Sequence, residues 1–74
     1  MQRYASQSGK PYGATGFEIE PGAIVVRFRN GRRYRYTLRS CGAPHVRAMK
    51  RLALAGEGLS TYVAQRQPEY EDKF

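Results

Sequence analysis

The stretch that decides the fold is Ala23-Ile24-Val25-Val26-Arg27-Phe28-Arg29-Asn30-Gly31-Arg32-Arg33-Tyr34-Arg35-Tyr36-Thr37-Leu38-Arg39. Apolar and basic residues alternate along it with a period of two, the repeat of a strand with one buried face. Ile24, Val26 and Phe28 face one way, and Val25, Arg27 and Arg29 face the other. Asn30-Gly31 is a hairpin signal. The returning strand is expected from about Arg32 to Arg39. Tyr34, Tyr36 and Leu38 share one of its faces; Arg33, Arg35, Thr37 and Arg39 share the opposite one. A two-residue loop would pair Phe28 with Arg33 and Val26 with Arg35, mixing apolar and charged residues on one face. A three-residue loop, Arg29-Asn30-Gly31, moves the pairing by one residue. It sets Val26 opposite Tyr34 and Ile24 opposite Tyr36, and restores an apolar face and an arginine face. Gly31 then occupies the left-handed position of a bulge, where a side chain is strained.

On the N-terminal side, Thr15-Gly16-Phe17-Glu18-Ile19-Glu20 alternates apolar and acidic residues, and Pro21-Gly22 marks a turn. Residues 1–13 are rich in Ser, Gly and Gln and read as an irregular arm, with Tyr4 and Tyr12 available to dock on the body. On the C-terminal side, Ser40-Cys41-Gly42-Ala43-Pro44 leads into a helix over about 44–55, with Pro44 in its first turn. Val46, Met49, Leu52 and Ala53 form its apolar stripe. Arg47, Lys50 and Arg51 lie on the other side. Gly56-Glu57-Gly58 ends this helix. Ser60 is expected to cap a second short helix, about 61–67, stopped by Pro68. An amphipathic helix and a half-apolar sheet must cover each other. The expected fold is α+β: a three-stranded antiparallel sheet covered on one face by a helix, then a second short helix. The single domain spans 14–67, with residues 68–74 as an acidic tail.

The chain has 74 residues, enough for one domain with a small core. Cys41 is its only cysteine, so no disulfide forms within one chain, and a lone thiol suits a reducing cytoplasm. The longest apolar stretch, Gly22-Ala23-Ile24-Val25-Val26, is far short of the ~20 residues of a membrane helix. The N-terminus lacks the apolar core of a signal peptide. A cytoplasmic protein, monomer or homodimer, is expected. Thirteen Lys+Arg against six Asp+Glu give a net charge of +7, and ten of the thirteen are Arg. Guanidinium forks onto phosphate and stacks on bases, so anionic partners are favoured.

Gly16-Phe17-Glu18, the strand Ile24-Val25-Val26-Arg27-Phe28-Arg29-Asn30-Gly31, and Tyr34-Arg35-Tyr36 together resemble the KTSC domain family. The family carries a Y-x-Y element, matched by Tyr34 and Tyr36. A helix with a Gly-rich end follows it, matched by Ala53-Leu54-Ala55-Gly56-Glu57-Gly58-Leu59. The resemblance spans roughly residues 14–67. Where the family tends to have Val-Pro after the second hairpin strand, this chain has Arg39-Ser40-Cys41-Gly42-Ala43-Pro44. Members occur alone in bacteria and at the C-terminus of some lysyl-tRNA synthetases. The resemblance implies no enzymatic activity and points toward RNA.

Six arginines fall within 27–39. In the preferred register Arg27, Arg29, Arg33, Arg35 and Arg39 leave the sheet on the face away from the helix, a platform that can track phosphates. Arg47, Lys50 and Arg51 are candidates to extend it around one edge. The expected partner is nucleic acid, RNA more than DNA. An acidic protein partner and a solvated face, with arginine stems covering the strands, are the alternatives. Tyr34 and Tyr36 interleave with these arginines but point to the apolar side, so core packing outweighs base stacking for them. Cys41 and His45 have no third partner for a metal site or a nucleophilic dyad. The carboxylates form no acid/base pair, and the glycine turn follows a helix instead of preceding one. No catalytic residue, metal or cofactor is expected.

Overall fold

A computed structural model describes residues 2–3 and 13–74; most of the expected arm, Tyr4 and Tyr12 included, lies outside the described residues. The elements run β1 (Gln2–Arg3), β2 (Ala14–Glu20), β3 (Ala23–Phe28), β4 (Arg33–Thr37), α1 (Leu38–Cys41), α2 (Ala43–Ala55), α3 (Leu59–Arg66) and β5 (Asp72–Lys73). The five strands form one antiparallel meander in chain order. The class is α+β, as expected. The sheet is wider than the expected three strands, because a two-residue strand pairs on each edge.

The central hairpin has the register the alternation demands. Ile24 pairs with Tyr36, Val26 with Tyr34, and Arg27 with Arg33. The Phe28 amide donates to the Arg32 carbonyl, and the Gly31 amide to the Phe28 carbonyl, which closes a three-residue loop. Gly31 sits at φ 87, a conformation costly for a residue with a Cβ. In β2 the pairing slips between Ala14 and Gly16, so Thr15 bulges out of the ladder.

Two helix boundaries correct the sequence reading. The second hairpin strand stops at Thr37, not Arg39. Thr37 and Ser40 form a capping box, in which each hydroxyl accepts the other's backbone amide at 3.0 Å. The chain therefore turns into α1, and Leu38 is 51 % exposed instead of lying on the apolar face. Helix α3 starts at Leu59, so Ser60 is inside it and is not its cap. The Ser60 hydroxyl instead accepts the Ala14 amide at 2.8 Å and ties α3 to β2. Helix α2 ends as expected, at Gly56 in the left-handed conformation.

The core lies between one sheet face and the helices. Phe17, Ile24, Val26 and Tyr36 from the sheet meet Met49, Ala53 and Leu59 from α2 and α3. Each large side chain buried there contributes about 1.5–3 kcal/mol. Within the acidic segment 68–74, residues 71–74 run along the free edge of β4. The Glu71 amide donates to the Arg35 carbonyl, and Arg33 and Phe74 exchange both of their backbone bonds. The acidic segment is thereby fixed beside the arginine strand.

Candidate nucleic-acid interface

Residues opposite one another in an antiparallel sheet share a face, so the register lays out the surface away from the helices. Arg3 pairs with Gly16, Gly16 with Arg27, and Arg27 with Arg33. The Arg33–Phe74 backbone pair continues this line to the residue just past β5. One row across the sheet therefore reads Arg3, Gly16, Arg27, Arg33, Phe74, with neighbouring strands about 4.8 Å apart. Arg3 and Arg33 are exposed, and Arg27 is half-buried.

Like charges directly opposite on paired strands are destabilising. The structure holds the Arg27–Arg33 pair with neutral partners. Arg27 donates from Nε to Thr15 Oγ1 at 3.1 Å and from Nη2 to the Thr15 carbonyl at 3.4 Å. The Thr15 bulge is what brings both acceptors within reach. The Arg33 guanidinium lies 4.8 Å from the centre of the Phe74 ring. Both guanidinium groups are thus oriented, and among the described residues neither has an ion pair.

One pair along β4 the situation reverses. Arg35 donates to Glu20 at 3.1 Å and to Asp72 at 2.9 Å, and both ion pairs of the described residues fall on it. Hydrogen bonding to Asp72 foremost raises its pKa, against the opposing effect of burial and with help from Glu20. Glu71 accepts from the Thr37 hydroxyl at 3.0 Å in the same corner. The outer face is therefore polarised. Its α1 end carries the carboxylates, and its β3–β4 hairpin end carries the arginines.

The other arginines do not share one platform. Arg29 belongs to the hairpin loop and not to a strand; its amide donates to the Gly13 carbonyl. Arg39 is in α1, off the sheet, because the Thr37 cap ends the strand first. Arg47 and Arg51 are exposed on α2, which covers the opposite sheet face. Lys50 turns inward and donates to the Glu20 carbonyl at 2.9 Å, so it does not extend the arginine face. Arg3, Arg32 and Phe74 were not among the expected site residues. Arg32 is exposed at the foot of the hairpin loop, where its amide donates to Asn30 Oδ1.

Tyr34 and Tyr36 stay on the apolar side. Tyr36 is buried, and that burial pushes its hydroxyl pKa up. Tyr34 is half-buried and meets Phe28 and Tyr70 edge-on, at 5.4 and 4.7 Å between ring centres. These rings border a groove of about 760 Å³ between the hairpin, α3 and the C-terminal segment.

Cys41 donates to the Thr37 carbonyl at 3.5 Å, and burial pushes its thiol pKa up, the reverse of what a nucleophile needs. His45 Nδ1 lies 2.6 Å from the Tyr62 hydroxyl, a contact that joins α2 to α3. Among the described residues no three His, Cys, Asp or Glu side chains gather as a metal site. No helix of the described residues is long and apolar enough to cross a membrane. Compared with protein-family models, curated proteins and solved structures, the chain matches none.

Proposed function

We propose that this chain is a KTSC-like, non-enzymatic module of the cytoplasm that binds the sugar–phosphate backbone of RNA on the outer face of its sheet. The observation that carries this reading is the cross-strand Arg27–Arg33 pair, oriented by Thr15 and Phe74 and without an ion pair among the described residues. Folding alone gains nothing from placing two cations opposite each other. An arriving phosphate offsets that repulsion and accepts hydrogen bonds from both forks. Arg3 lies in line with the pair, and Arg32 stands at the hairpin foot. Edge strands of two residues are a poor template for pairing with another chain, which favours an anionic ligand over strand addition.

The test is the salt dependence of binding, read by fluorescence anisotropy of a labelled single-stranded RNA. Each neutralised phosphate of a single strand contributes roughly −0.7 to the slope of log K against log salt. Engagement of the Arg3, Arg27 and Arg33 row therefore predicts a slope of about −2. No binding, or a slope near zero, contradicts the reading.

A further inference from the structure

We infer that the groove behind the hairpin takes one unpaired base of the bound strand, so that the module selects single-stranded over duplex RNA. This rests on reading the outer face as the phosphate site. The groove is on the helix side of the sheet, but the two sites share the hairpin tip. Asn30 lines the groove, and Arg29 and Arg32 flank it closely in the chain. A strand whose phosphates reach Arg32 and Arg33 is one residue away, across the sheet, from Tyr34.

The walls suit a planar ring. Phe28, Tyr34, Tyr36 and Tyr70 all border the space. Tyr70 is 47 % exposed, so its ring keeps surface for stacking, while Tyr34, packed by Phe28, Tyr36 and Tyr70, backs it. Asn30, Gln67 and Glu69 are polar residues of the groove's lining. Gln67 caps α3 at φ 47, a left-handed conformation that glycine adopts far more easily. Gln67 lines the groove from that position. Glu69, an acid among the lining residues, disfavours phosphate there, so the groove favours the base end of a nucleotide. Arginines outside and aromatic rings within are the parts from which single-strand sites are built.

The probe is a labelled RNA of about eight nucleotides, within the site size of such modules, with one central guanine in a uridine background. A matched strand is abasic at that position. Removing the base is expected to weaken binding roughly tenfold, the usual worth of one stacked base. Tyr70→Ala gives a similar loss on the guanine strand and little further loss on the abasic one. Tyr70→Phe, which keeps the ring, retains the discrimination and controls for folding. Arg33→Gln weakens both strands alike. Equal affinity for guanine and abasic strands would overturn the groove assignment while leaving the phosphate face standing. No binding of either strand removes the phosphate reading and this inference together.

Discussion

Ile24→Ala is expected to lower the unfolding free energy by about 3 kcal/mol, within the range of roughly 2–5 kcal/mol for truncating a buried aliphatic side chain. Ile24 is 0 % exposed, sits on the middle strand of the sheet, and pairs with Ile19 on one side and Tyr36 on the other. Both neighbours are fixed in the ladder, so the cavity cannot close by a rotamer change. A domain of this length has a total stability of roughly 4–11 kcal/mol. The substitution therefore removes a large part of it. In urea, with a slope near 1 kcal/mol/M for a small domain, the midpoint should fall by about 3 M. Leu54→Ala is the matched control. Leu54 is 65 % exposed on α2 and should change stability by less than about 0.5 kcal/mol. Equal effects of the two substitutions would mean that the core is not where the packing places it.

Arg33→Glu should weaken RNA binding roughly ten- to hundredfold, because a hydrogen bond to a charged partner contributes about 1.5–3 kcal/mol. The loss exceeds that of deleting one cation. A carboxylate at position 33 stands directly opposite Arg27 and neutralises it as well. The fold should hardly notice. Relief of the like-charge pair gains about 0.2–1 kcal/mol, and loss of the stacking on Phe74 costs about 0.5–1 kcal/mol. Arg35→Glu is the instructive contrast. Arg35 already carries two carboxylates, so its reversal should disturb the Glu20 and Asp72 corner more than it disturbs binding. Anisotropy and urea denaturation on the same samples separate the two effects. If Arg33→Glu and Arg35→Glu lose affinity equally, the face is not polarised in the way its ion pairs indicate.

The hairpin was legible in the sequence because alternation and loop length constrain each other. One residue of slip would have buried Arg33 and Arg35, so the patterning selected the bulged loop with Gly31. Helix α2 was legible from its stripe and its terminal glycine. The strand end at Thr37 was missed although Thr37-Leu38-Arg39-Ser40 offers two capping hydroxyls three residues apart; the alternation running on to Arg39 was the stronger pattern. Ser60 reads as a cap because hydroxyls commonly cap, and nothing local shows that Ala14 takes that hydroxyl. The edge strands left no trace for a related reason. Two residues carry no periodicity, and Asp72-Lys73 is a poor strand former by propensity.

The same limit divided the site. Arg27 and Arg33 opposite each other follow from the hairpin register alone. Placing Arg3 in their row depends on β1 pairing with β2, a contact between segments with no shared pattern. Which arginines are compensated depends on where the carboxylates of Glu20 and the C-terminal segment come to rest. Read along the chain, Arg33 and Arg35 are equivalent. In the fold both lie over the Phe74 ring, at 4.8 and 5.2 Å, but among the described residues only Arg35 is also held by two acids.

The central claim is that phosphate is bound by the hairpin end of the outer sheet face. Two-dimensional NMR of labelled protein, titrated with a short single-stranded RNA at ~150 mM salt where weak surface attraction is screened, tests it most directly. Shifts are expected to concentrate at Arg3, Gly16, Thr15, Arg27 and Arg33, with little change at Arg47 and Arg51. Shifts centred on α2, or none at all, would contradict it.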